Sequence, residues 1–338
     1  MNWSSSDDLP SDAPPPPPAP PPPPGPPPGP PGAPRPRPGL WRRCLWGGVV
    51  AWALAAGATY LTENSTLLPT LILLGSFLVP AVFVLWAYER HGEDLGPSLI
   101  LGSFLTGGIL GVLGASVLEY YLLHQTSVWL FLGVGLIEEA VKLGALMFVL
   151  RRHHSVRGRR AGLVLGATVG FGFAAFESAG YAFNAAVTLD GIDLRALLET
   201  EVLRGVLSPF GHGLWTAIAG GVLLVHREAN GRFRFPPTVV GTFFGVAVLH
   251  ALWDSMRGIA VWLVARVTGD GQVDSIPARG FLENPTDQQQ HLFTVISVGG
   301  TVATTLVGLC WLRVLVLRSR QERARARGES APGVRRSP

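Results

Sequence analysis

The sequence predicts an all-α, polytopic transmembrane helical bundle of about eight spans with both termini cytoplasmic. Three observations carry this. Hydrophobic residues make up 48% of the 338 positions and charged residues only 15%. The apolar residues fall in long blocks and not in the short alternating runs of a soluble core. The arginines cluster beside those blocks, in alternate loops, as the positive-inside rule requires.

A bilayer core needs about 20 apolar residues per helix. On that yardstick, spans are expected near 44–61, 67–88, 97–118, 126–150, 161–187, 203–226, 237–264 and 291–317. Arginines gather before the first block (Arg35, Arg37, Arg42, Arg43), after the fourth (Arg151, Arg152, Arg157, Arg159, Arg160) and after the sixth (Arg227, Arg232, Arg234). They return after the last (Arg318, Arg320, Arg323, Arg325, Arg327), whereas the intervening loops at 190–201 and 270–287 are acidic or mixed. This alternation places both tails inside.

Most of the 29 prolines lie in a tract before Gly39 that has no apolar residues to pack. Residues 1–39 are therefore expected to be a disordered, polyproline-like tail, 40–317 the membrane domain and 318–338 a disordered, Arg-rich tail. The tract lacks the layout of a signal peptide, so the first apolar block is expected to remain as a span. Its Pro-x-x-Pro spacings read as a solvated linker. Gly107 with Gly111, Gly166 with Gly170 and Gly241 with Gly245 have the small-xxx-small spacing of close helix contacts in lipid.

Cys44 and Cys310 offer neither a disulfide framework nor zinc-finger spacing. A formal charge of +4, spread beside hydrophobic blocks, excludes a nucleic-acid surface.

Ionisable residues inside spans cost roughly 2.5–3.5 kcal/mol each on insertion scales, so each needs a physical reason. The fourth span carries Glu138, Glu139 and Lys142, the only lysine in the chain. Either carboxylate can reach Lys142, at i+4 or i+3. Because successive residues are about 100° apart, one Glu is expected to face a reaction centre and the other to take the lysine. Glu177, in Phe173-Ala174-Ala175-Phe176-Glu177, has no basic neighbour within a turn and needs a partner from another span. His212 stands alone between glycines, and His250 with Asp254 puts imidazole and carboxylate on one helix face. That pair suits metal ligation, or a ligand and the group that orients it.

Depth unites them. From span limits and a rise of about 1.5 Å per residue, Glu138, Glu177, His212 and His250 lie roughly 18, 15, 14 and 21 Å below the external surface. One layer of imidazole and carboxylate suits a divalent metal, zinc above all, that polarises a carbonyl while a Glu shuttles a proton. No contiguous His-Glu-x-x-His helix is present, so the ligands must come from separate spans. A proton-coupled transporter and a non-catalytic scaffold or immunity-type protein also use buried polar residues. Against transport, repeats and paired broken helices are not evident.

Glu138-Glu139-x-x-Lys142, Phe173-x-x-x-Glu177, His212 and His250-x-x-x-Asp254 occur in that order on successive spans, preceded by Phe77-Leu78-Val79-Pro80. They resemble the motifs of the PrsW family of intramembrane metalloproteases, distantly related to the CAAX prenyl-protease and bacteriocin-processing superfamily, over roughly residues 77–266. The resemblance implies a multi-pass protein of a bacterial plasma membrane that cuts membrane-anchored regulatory proteins. It implies that Glu138 and Glu139, with Lys142 beside them, activate water. Glu177, His212, His250 and Asp254 would bind or orient the metal.

Overall fold

The computed structural model describes residues 39–123, 129–189, 191–276 and 280–329, apart from the side chains of 92–93 and 326–329. The expected Pro-rich tail and the last nine residues lie outside these. The described chain is almost wholly helical: α1 Leu40–Thr62, α2 Leu68–Leu95, α3 Pro97–Leu122, α4 Leu130–Leu150, α5 Arg159–Ala186, α6 Leu194–Leu207, α7 His212–Leu223, α8 Pro237–Thr268 and α9 Asp287–Glu329. A two-residue hairpin pair, Val187–Thr188 with Gly191–Ile192, joins α5 to α6. In lipid only a helix or a closed barrel satisfies its own backbone, and long apolar blocks without period-2 alternation choose the helix.

Among the described residues seven segments are long and apolar enough to cross a membrane, against the eight expected. The difference is α4, whose 21 residues include Glu138, Glu139 and Lys142. The sixth span also differs. It runs over Leu194–His226, and it is broken. A 3₁₀ turn at Ser208–Phe210 and the irregular Gly211 separate α6 from α7, because Pro209 has no N–H to continue the ladder. The last helix continues past 317 to Glu329, so the Arg-rich segment expected to be disordered from 318 starts as helix.

Helix ends follow sequence signals. Pro97 and Pro237 occupy the first turns of α3 and α8, where a missing donor costs nothing. The Asp193 carboxylate accepts from the Ala196 N–H to cap α6, and Gly269 (φ 65°) closes α8 in the left-handed region. Glu89 on α2 accepts from the N–H groups of Gly39 and Trp41 and so caps α1 from outside. In α9 the hydroxyls of Thr294, Thr301, Thr304 and Thr305 donate to carbonyls four residues back, which lets polar residues sit in an apolar helix.

α5 is the centre of the bundle. Of its most apolar stretch 78% is buried, against 6% for α1 and 11% for α9, whose apolar faces are left for lipid. It packs chiefly on α7 and α3. A β-carbon at Gly162, Gly166 or Gly170 would lie 2.2, 2.3 and 2.3 Å from the carbonyl oxygens of Gly220, Thr216 and His212 respectively. The four-residue rhythm of these glycines therefore seats α7 backbone to backbone on α5. Gly107 makes the same approach to Val169, whereas Gly241 has open space beside it and Gly245 faces the Trp311 ring. Two of the three expected glycine pairs thus sit at close contacts. Arg227 is a clamp and not a loop charge: it is 4% exposed and donates to the carbonyls of Leu150, His153, Val156 and Gly231.

Candidate metal centre

Helices α4, α5, α7 and α8 bring the predicted residues into one buried network. On α4, Lys142 Nζ lies 3.0 Å from Glu138 Oε2 and 2.8 Å from Glu139 Oε1, and donates to both. The sequence reading gave Lys142 to one Glu alone. The structure differs because positions i−3 and i−4 flank one helix face and the flexible lysine stem lies between them. The same ammonium stands 2.8 Å from His212 Nδ1 and 4.2 Å from the Phe173 ring centre.

The glycine ladder explains how α5 and α7 contribute. Gly170 touches the His212 backbone, and Glu177, seven residues on, lies on the same face of α5. Glu177 Oε2 is 3.0 Å from His212 Nε2, and Arg204 on α6 adds an ion pair at 2.5 Å. These are the partners from another span that Glu177 requires. Arg204 also donates to Ser178 Oγ at 2.7 Å.

On α8 the His250 ring stacks against Trp215, with centroids 4.5 Å apart. Its Nδ1 lies 3.2 Å from Glu139 Oε1, whose other oxygen receives the Thr216 hydroxyl at 3.3 Å. Asp254 Oδ2 stands 3.1 Å from His250 Nε2, at an angle that leaves this buried nitrogen without a hydrogen bond. Proton positions follow from these partners. Glu139 holds a proton on His250 Nδ1, so that in the neutral ring the lone pair is on Nε2. Lys142 can only donate, so the His212 lone pair is on Nδ1 and its Nε2–H donates to Glu177.

The two lone pairs converge. His212 Nδ1 and His250 Nε2 each lie 3.6 Å from Glu138 Oε2. Among the described residues, Glu138, His212 and His250 form the group whose donor atoms all come within 4.8 Å of one another. Glu177 and Asp254, expected among the ligands, each stand against one histidine and do not complete that group. Among the described residues Glu138 Oε1 has no hydrogen-bond partner, and Glu139 is fully buried.

These residues fit a divalent cation on three grounds. His250 Nε2 is a buried ring nitrogen that makes no hydrogen bond. The ring nitrogens facing away from the group are held by carboxylates, Glu139 and Glu177, the arrangement that orients metal-binding imidazoles. Within the network four carboxylates (Glu138, Glu139, Glu177, Asp254) face two cations (Lys142, Arg204), a surplus of two negative charges that one divalent ion offsets.

Sequence reasoning did not reach Arg204, Thr216 or Trp215. Arg204 falls in the mixed sequence that opens the expected sixth span, 203–226, and was not singled out there, and Thr216 and Trp215 are ordinary residues of an apolar helix. The one available signal was Glu177, a buried carboxylate in need of a cation. Glu119 on α3 borders the network, within electrostatic reach of Glu138 and Glu177, and its Oε1 is occluded without a partner.

No curated protein and no solved structure matches the chain. The sequence profile of PrsW family intramembrane metalloproteases matches residues 96–271, the stretch from α3 to the end of α8 that holds every member of the network. Together with the membrane-length helices, this match, over more than half of the chain, assigns a multi-pass membrane enzyme that hydrolyses peptide bonds with a divalent metal: the chain belongs to the PrsW family of intramembrane metalloproteases.

Proposed function

We propose that the protein is a zinc-dependent endopeptidase of a bacterial plasma membrane, with both tails cytoplasmic, that cuts membrane-anchored regulatory proteins within or beside their spans. The observation that carries the site assignment is the convergence of two imidazole lone pairs and one carboxylate oxygen in a network two negative charges in surplus. Glu138, His212 and His250 would hold the ion, a nitrogen and oxygen donor set suited to zinc. His212 would give up its Lys142 contact to the ion, with Lys142 still held by Glu139. The ion supplies Lewis acidity towards water and the scissile carbonyl.

The chain's own groups do the rest. Glu139 and Glu177 hold the two rings in the tautomers that present Nε2 of His250 and Nδ1 of His212. Arg204 keeps Glu177 ionised and in place. Asp254, with 29% of its side chain exposed and no lysine or arginine paired to it among the described residues, is the carboxylate open to water. It accepts the proton of the attacking water and returns it to the leaving amine. This reassigns the roles expected from the sequence, moving Glu138 to the ligands and Asp254 to proton transfer.

The test combines metal content with cleavage of single-span reporter peptides in proteoliposomes. Glu138→Gln and the His212→Ala, His250→Ala pair should lose stoichiometric metal. Asp254→Asn should keep it and lose cleavage by about 10²–10⁴-fold. Full metal in Glu138→Gln, or undiminished cleavage in Asp254→Asn, overturns the corresponding role.

A further inference from the structure

Far from the metal centre, a cavity of about 560 Å³ opens where the end of α2, the start of α5 and the C-terminal part of α9 meet. This is the end of the bundle that carries the arginine-rich connection between α4 and α5. Four arginines line it, Arg157, Arg159, Arg160 and Arg323, against the two carboxylates of Asp94 and Glu322. Arg159 is paired with Glu322, and Arg160 with Asp94 and the His91 ring. Among the described residues neither Arg157 nor Arg323 has a carboxylate partner. The cavity thus has two positive charges in surplus.

Two further features point to an anion. The N-terminus of α5, whose first residues line the cavity, has no side-chain cap and no acidic residue in its first turn, although a 28-residue helix concentrates partial positive charge there. Ser319, on the α9 wall, is 7% exposed, and its hydroxyl, which lines the cavity, makes no hydrogen bond among the described residues and is left for a ligand. Arg160 is a donor to His91 Nδ1, which puts the His91 proton on Nε2 as one more donor. The remaining wall is apolar, with Leu95 and Val164 beneath the charged rim.

We infer that this cavity binds a phosphate ester, held by Arg157, Arg323, the Ser319 hydroxyl and the open N-terminus of α5. A phospholipid headgroup lying along Leu95 and Val164 and a soluble phosphorylated molecule share this chemistry. Planar guanidinium groups bind phosphate oxygens in pairs, and basic pockets between spans at the inner face suit anionic headgroups.

The full-length protein, purified in detergent and stripped of lipid, should show a saturable rise in thermal unfolding temperature with dihexanoyl-phosphatidylglycerol. Dihexanoyl-phosphatidylcholine should produce none. A matching rise with glycerol phosphate identifies a soluble phosphate ester as sufficient, whereas its absence assigns the site to the lipid; both outcomes support phosphate recognition. Arg157→Gln with Arg323→Gln, two exposed and unpaired positions, should weaken the apparent affinity about 100-fold, near tenfold per charge-assisted contact. Arg318→Gln with Arg320→Gln removes equal charge outside the cavity and should leave it unchanged. The inference is overturned if neither phosphatidylglycerol nor glycerol phosphate gives a saturable rise, or if the two double variants behave alike.

Discussion

Lys142 shows how one side chain can organise a site. Its ammonium has no exposure and is bonded to Glu138, Glu139 and His212, so the Lys142→Met variant leaves two buried carboxylates without their cation. Removing one partner of a buried ionic group typically costs about 3–5 kcal/mol, and denaturant unfolding of Lys142→Met should show a loss of that order. Arg204→Met should likewise destabilise through Glu177, and Glu177→Gln on the same background should recover part of the loss; a strictly additive double variant would contradict the pairing. Every residue of the network except Arg204, Thr216 and Trp215 was legible in the sequence, because each ionisable group in a span demands a reason. Their roles were not. Helical spacing says which residues share a face, but that Glu138 nears both histidines while Glu177 meets only His212 depends on distances between helices, which no local pattern contains.

At the scale of the elements, α5 and α7 are held by the absence of side chains. A leucine at Gly166 would place its β-carbon 2.3 Å from the Thr216 carbonyl and push the helices apart. Gly166→Leu should therefore destabilise the fold by roughly 1–3 kcal/mol through overpacking, seen in denaturant unfolding, and reduce metal occupancy, since His212 leads α7. Gly241→Leu meets open space and should do neither. The rhythm of glycines was readable, but not which pairs are used, because a glycine facing lipid and one facing a helix look the same in the sequence. The break between α6 and α7 is similar. Pro209 and Gly211 announce an interruption, yet only packing against α5 shows that it sets the start of α7 at the metal centre. Arg227 was counted among the loop charges that orient the chain, and its four carbonyl contacts make it a clamp on the C-terminal end of α4; Arg227→Met should cost roughly 2–4 kcal/mol by stranding those acceptors.

Across the whole molecule, metal and fold should be linked. An ion that binds only the folded state adds stability as its concentration exceeds its dissociation constant, about 4 kcal/mol at a thousandfold excess. Chelation should lower the unfolding temperature of the wild type and leave the His212→Ala, His250→Ala variant unmoved. A wild type indifferent to chelator while still metal-free would argue against the site. The sequence by itself determined the class of molecule, since long apolar blocks in a bilayer admit only helices. It also determined which residues must be buried against their cost and, through arginine placement, an expected orientation. Tertiary structure alone decided that α4, with three charges, packs inside the bundle and which carboxylate, Glu138, comes close to both histidines. The reason is physical: hydropathy and periodicity are properties of one helix, whereas a metal site is a set of distances between four.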